Sequence, residues 1–242
     1  MKVSLETMLL VTTVLFGACT VEQELVLKSE YSGLWILEGR PMSFSGDILE
    51  DLAILGSYDS LDTFYDSAIS ETIANLEARG DIEDFEVVRV GKYAWMANVE
   101  FNDIRSLLGD AALGGIVDIS QEGDLHILKL SFDRARAAEF ENLFPILKEP
   151  AFSLFNPAAS EGFSEEEYIT KILGFALGEK NLPELRRSMV ALSLTVPGTV
   201  VEVEGGTELS ENSVRFEAPL TRLLVPEKEL VWVLRWKRRL GE

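Results

Sequence analysis

Two stretches of this chain share one plan, and the plan dictates antiparallel pairing. Phe85–Val90, a Gly91-Lys92 turn and Tyr93–Glu100 read as a hairpin that runs into Phe101-Asn102-Asp103-Ile104, the opening of a short helix. About 31 residues later the plan returns. Ile116–Gln121, a Gly123-Asp124 turn and Leu125–Ser131 form a second hairpin, and Phe132-Asp133 opens a helix through Phe144. In both units a phenylalanine ends the strand, and an Asn or Asp follows where a helix start needs a side-chain acceptor. Turns this short join only antiparallel strands, because a parallel pair needs a crossover of a dozen residues or more.

The flanking segments fit the same framework. Leu25 and Leu27 alternate with polar neighbours, Ser32-Gly33 makes a turn and Leu34–Leu37 continues, so residues 22–38 read as two strands. Gly39 to Tyr58 is irregular, punctuated by Gly39, Pro41, Gly46 and Gly56. A helix is expected from about Ser60 to Ala78, with Leu61, Phe64, Ala68, Ile69, Ile73 and Leu76 on one stripe and Asp59, Asp62 and Asp66 opposite. Pro150, Pro157 and Gly162 then break the chain. Ser164-Glu165-Glu166-Glu167 is a capping box ahead of a helix whose apolar face is Tyr168, Ile169, Ile172, Leu173 and Ala176, stopped by Gly178. Met189–Val196, Val200–Val203, Ser213–Ala218 and Leu230–Trp236 are strands, with turns at Pro197-Gly198 and Gly205-Gly206. The fold class is therefore α+β: an antiparallel β-rich domain of strand–strand–helix units, with a helical insert before a C-terminal run of strands. The expected division is a leader at 1–18, an α+β part at 19–147, the helical insert at 148–185 and a β part at 186–242 packed in the same domain.

The first nineteen residues are of another kind. Lys2 opens them, Met8–Phe16 is an apolar run, and Gly17-Ala18 leads into Cys19, the one cysteine of 242 residues. A charged start, a short apolar stretch and small residues at a cleavage point describe a secretory signal. Nine apolar residues are too few to cross about 30 Å of hydrocarbon as a helix. Cleavage before Cys19 removes one base, Lys2, and one acid, Glu6, so the net charge stays at −19. That surplus argues against nucleic acid as a partner, since binding phosphate needs a basic surface. With 47% hydrophobic residues the remainder builds a substantial core.

Phe16-Gly17-Ala18-Cys19 resembles the lipobox of bacterial lipoproteins, with Phe16 in the place usually held by Leu, a variant tolerated in spirochaete-type lipoproteins. The resemblance implies that Cys19 becomes the lipidated first residue, a diacylglyceryl cysteine with an added acyl chain such as palmitate. Two or more chains anchor stably where one does so only marginally. It places the protein in the bacterial cell envelope, on the non-cytoplasmic side of a membrane. Thr20 after the cysteine points, under enteric-type sorting, to the outer membrane, and the choice of membrane stays open. The hairpin into Phe101-Asn102-Asp103-Ile104, together with Val196-Pro197-Gly198 and Ser213-Val214-Arg215-Phe216, also resembles the LppM-type lipoprotein domain over about residues 19–236. That resemblance implies a β-rich domain behind a lipobox and supplies no catalytic residue.

Motifs for chemistry are absent: no Gly-x-Ser-x-Gly elbow, no His-Glu-x-x-His, no phosphate loop and no dinucleotide fingerprint. His126, the only histidine, sits in a strand and reads as an inert surface side chain. Asp47, Glu50 and Asp51, or Asp81, Glu83 and Asp84, could offer oxygens to Ca²⁺, but neither set has the spacing of a calcium loop, and both read as solvated faces. No catalytic residue, metal ligand or cofactor is assigned. The basic tail allows two readings. Trp236, Lys237, Arg238 and Arg239 could touch anionic lipid, at about 1 kcal/mol per cation near the surface. Alternatively they end an edge strand in solvated charge, which discourages edge-to-edge pairing. The function expected is a lipid-anchored envelope protein of non-enzymatic binding type, whose partner is a lipid ligand or an envelope protein. The alternatives are a structural assembly subunit and a carboxylate-dependent hydrolase.

Overall fold

The computed structural model describes residues 18–29, 31–41, 60, 62–63, 66, 70, 73–74, 76–91, 94–108, 115–137 and 153–238. The leader before Ala18, the cluster Asp47, Glu50 and Asp51, and Arg239 lie outside the described residues, as do Leu61, Phe64, Ala68 and Ile69 of the expected helical stripe.

Eleven strands are described: β1 (Ala18–Leu27), β2 (Gly33–Pro41), β3 (Ile82–Arg89), β4 (Trp95–Phe101), β5 (Val117–Glu122), β6 (Leu125–Phe132), β7 (Met189–Thr195), β8 (Gly198–Glu204), β9 (Gly206–Ser210), β10 (Ser213–Pro219) and β11 (Leu230–Arg238). They form a seven-stranded sheet in the order β3-β4-β2-β1-β7-β10-β9 and a four-stranded sheet in the order β5-β6-β11-β8. The two repeated hairpins fold as expected, but into different sheets: β3–β4 closes one edge of the first, and β5–β6 one edge of the second. In each, the terminal phenylalanine is buried (Phe101, Phe132) and the following acid caps a helix start. Asp103 accepts from the Arg105 amide at 2.8 Å, ahead of α1 (Ile104–Leu108), and Asp133 accepts from the Arg136 amide at 2.9 Å.

Strand alternation decides which side chains meet between the sheets. Along β1, Gln23, Leu25 and Leu27 point inward while Glu22 and Glu24 face solvent, the period of two that a half-buried strand imposes. Leu25, Leu37, Leu194 and Phe216 of the first sheet pack with Leu128, Trp232, Leu234 and Trp236 of the second in one cluster. Phe216 stacks on Trp232 with ring centroids 5.3 Å apart. Leu76, from the described helical residues between 62 and 77, joins the same core, while Asp62 and Asp66 stay outside and pair with Arg89.

Several expectations need correction. β1 starts at Ala18 rather than at residue 22, and β2 runs on to Pro41, so Gly39–Pro41 is strand rather than irregular chain. β1 pairs with β7 in parallel, inside an otherwise antiparallel framework, so the N-terminal and C-terminal parts join side by side in one sheet. β9 follows Gly205, where the sequence suggested only a turn.

The insert is a helical layer. Its longest run covers residues 165–177: α-helical at Glu165–Glu167, π-helical at Tyr168–Leu173 and α-helical again at Gly174–Leu177. The π turn takes up an extra residue, so the apolar face is reached by Leu177, which is buried, and not by Ala176, which is exposed. Pro183 lies in the first turn of α2 (Leu182–Arg187), and a third short helix, α3 (Leu220–Leu224), follows β10. Tyr168, Ile169, Leu173, Leu177, Leu182, Leu185, Leu220 and Leu224 form the second hydrophobic cluster.

Candidate membrane-facing end

Register places the ends of the strands in two groups. Thr20 stands opposite both Arg40 and Met189, and Met189 opposite Pro219. The start of β1, the finish of β2, the start of β7 and the finish of β10 therefore share one end, termed proximal. The helical layer closes that end. Leu220 donates its amide to the Ser188 carbonyl at 2.9 Å, Val190 at the foot of β7 belongs to the helical cluster, and Glu165 donates its amide to Glu227 Oε2 at 3.3 Å just before β11. Arg134, directly after β6, donates to the Phe163 carbonyl. At the opposite, distal end, Tyr31 Oη reaches Gln121 Oε1 at 3.4 Å and Val200 donates to the Glu211 carbonyl at 2.8 Å.

Cys19 lies at the proximal end. It falls within β1 at an irregularity in the register between Ala18 and Thr20, the position of an extra, unopposed residue. Phe175, in the last turn of the 165–177 run, is 92% exposed and belongs to the layer that closes this end. The sequence pattern sets Phe175 off the apolar stripe, where a solvent-facing residue is expected, so nothing in the periodicity singles it out.

The layer is held together by surface ion pairs and close packing. Arg186 makes a two-pronged contact with Glu166 at 2.7 and 2.9 Å, tying α2 to the run before it and lowering the Glu166 pKa, chiefly through that hydrogen bond. Gly174 packs against α2 so closely that an added Cβ would lie 3.1 Å from Leu182 Cδ1. Lys171 Nζ donates to Glu167 Oε1 at 3.0 Å, the Ser164 hydroxyl and amide both donate to Glu167 Oε2, and the Glu167 amide donates back to Ser164 Oγ at 3.3 Å, which completes the capping box. Together these hold the Glu167 carboxyl at a pKa of about 2, the Lys171 contact contributing most. Because the folded value lies below the ordinary one, the stability linked to Glu167 is present above about pH 4.5 and is lost as pH falls toward 2. Carbon-detected NMR titration should give Glu167 a midpoint near 2, and Ser164→Ala should move it upward; an unmoved midpoint would refute the capping box as a cause.

The basic tail lies elsewhere. β11 is an inner strand of the second sheet, between β6 and β8, so it is not an edge. Trp236 is buried at 4% and stacks on His126, centroids 5.3 Å apart. Its ring is therefore not presented to a lipid surface, and His126 is a core side chain rather than a surface one. Arg235 pairs with Glu202 at 2.9 Å and Lys237 with Asp124 at 3.1 Å, while Arg238, opposite Gly198, is exposed at the distal end. The tail thus sits at the far end of the sandwich from Cys19. Asp81 forms a part-buried pair with Arg79, which lowers its pKa, while Glu83 and Asp84 are exposed. Among the described residues no three His, Cys, Asp or Glu side chains converge to hold a metal.

No family model matches this chain, and no curated protein matches it. Among solved structures it is similar to the folded domain of LppM. That NMR structure, from Mycobacterium tuberculosis, has a TM-score of 0.40 and 11% identity over 92% of this chain and 91% of that one. At this level the likeness to LppM carries no inference about function. The spirochaete affinity suggested by Phe16 gains no support from these matches.

Proposed function

We propose that the mature chain is a lipid-anchored protein of the bacterial cell envelope, held by acylated Cys19 on the non-cytoplasmic side of a membrane, and that its domain acts by non-enzymatic binding or interaction. The supporting observation is the place of Cys19 relative to the first described strand. β1 spans Ala18–Leu27, and the signal-like segment ends at Ala18, so among the described residues cleavage before Cys19 would remove one residue of the sheet. Such a cut is compatible with a lipoprotein, because the sheet from Thr20 onward stays whole. Leu37, Phe101 and Phe216, each at most 1% exposed, lie between the sheets, which favours recognition at the surface over enclosure of a ligand in the core. Growth of an expressing bacterium in labelled palmitate is the test. The wild-type chain should carry label and sediment with membranes, and Cys19→Ala should lose both. Unchanged membrane retention in Cys19→Ala would sink the anchor.

A second reading, a lipid carried inside the sandwich, draws on Trp35. Its indole N–H is buried and finds no hydrogen-bond partner among the described residues, which costs about 1–3 kcal/mol unless an acceptor arrives. The carbonyl of an acyl ester would be such an acceptor, and lipid retained through purification is that reading's signature.

A further inference from the structure

Anchoring at Cys19 would leave the domain no slack. Thr20, the next residue, is already paired on both sides, opposite Arg40 and opposite Met189. β1 is the fourth of seven strands, so the tether enters the middle of the sheet rather than a free edge. Each residue of extended chain spans at most about 3.3–3.6 Å, so with no intervening linker the proximal end is held at the depth of the head groups. The helical layer that closes this end exposes Phe175 almost completely. The β3–β4 turn, at the same end because Arg89 pairs with Trp95 and Trp95 with Gly39, exposes Val90 at 54%. Val201 and Leu209, in β8 and β9, are exposed to about the same degree as Val90, so it is the near-complete exposure of Phe175 that sets this end apart. Held at head-group depth, a phenylalanine in that position gains by leaving water for the interface.

We infer that the proximal end is the membrane-contacting surface of the domain, with Phe175 inserted at the boundary between head groups and acyl chains. The inference rests on acylation of Cys19 and adds an orientation to it. Charge does not drive the contact. Residues 153–187 include Glu161, Glu165, Glu166, Glu167, Glu179 and Glu184 against Lys171, Lys180, Arg186 and Arg187, so the layer has no excess of bases to attract anionic lipid. The distal end, with Arg238 and the Gly123-Asp124 turn, points away from the bilayer and is left for partners.

The test uses the full acylated chain in phosphatidylcholine vesicles. Cys19 is the only cysteine and its thiol is consumed by acylation, so Phe175→Cys supplies a unique thiol for a nitroxide label. Glu122→Cys, at the exposed distal end of β5, is the reference. The label at 175 should be several-fold less accessible to a water-soluble nickel chelate than the label at 122, and more accessible to oxygen. Equal nickel accessibility at both sites, in a chain that still floats with the vesicles, would overturn the orientation and leave the anchor intact. A palmitate-labelled chain that fails to float would overturn the anchor and this inference with it. Because Phe175 packs on little, its replacement should leave the far-UV spectrum and melting temperature unchanged.

Discussion

Phe216→Ala should destabilise the domain by about 3–5 kcal/mol, lowering its melting temperature by about 6–20 °C. Phe216 is 1% exposed and joins the two sheets, since it belongs to β10 of one and stacks on Trp232 in β11 of the other. Truncation removes both the buried area and the aromatic contact, and the surrounding backbone is too well paired to collapse into the space. β10 is hydrogen-bonded to β7 and β9, and β11 to β6 and β8. Neither sheet can follow the lost ring without breaking its ladder, so a cavity remains. Thermal unfolding by circular dichroism measures the effect. A shift under about 2 °C would mean that the sheets are not held together by this stack.

Gly205→Ala is expected to be nearly as damaging, at about 2–5 kcal/mol. Gly205 links β8 of the second sheet to β9 of the first, with φ +75, a conformation that side chains beyond glycine disfavour. It is also pressed against β11: an added Cβ would lie 2.4 Å from the Val231 carbonyl oxygen and 3.0 Å from Trp232 Cδ1. The carbonyl is backbone in the middle of a sheet and cannot swing aside. Gly162→Ala separates the two effects, because Gly162 has a similar φ of +84 with no described atom within 4 Å of the added carbon. It should show only the left-handed penalty of roughly 1–2 kcal/mol. Equal losses in the two variants would show that the close approach to Val231 contributes nothing.

Local features were legible in the sequence because their causes are local. The hairpins β3–β4 and β5–β6 follow from alternation on either side of glycine-containing turns, and the Ser164–Glu167 box from a hydroxyl and a carboxylate three residues apart. The candidate anchor was legible for the same reason, since a leader is read from consecutive residues ending at Cys19. The burial of Trp236 was also within reach. Trp232, Leu234 and Trp236 share one parity along β11 while Arg235 and Lys237 share the other, so period two alone sends the tryptophans inward. The π turn at Tyr168–Leu173 left no such trace, because an α-helical period fits its residues nearly as well until Ala176 and Leu177 exchange places.

What the sequence determined by itself, then, is most of the strands, the caps and the antiparallel bias of short turns, all consequences of neighbours within a few residues, while β9 and the full lengths of β1 and β2 escaped it. Only the tertiary structure decided that β1 lies beside β7, more than 160 residues away, in parallel. That pairing depends on burying Leu25 and Leu194 on the same face, a match between distant surfaces that no window along the chain contains. The same assembly brings Cys19 and Phe175 to one end and sends the basic tail to the other. Those relations are set by how the two sheets and the helical layer bury their apolar faces together, and spacing along the chain carries no information about them.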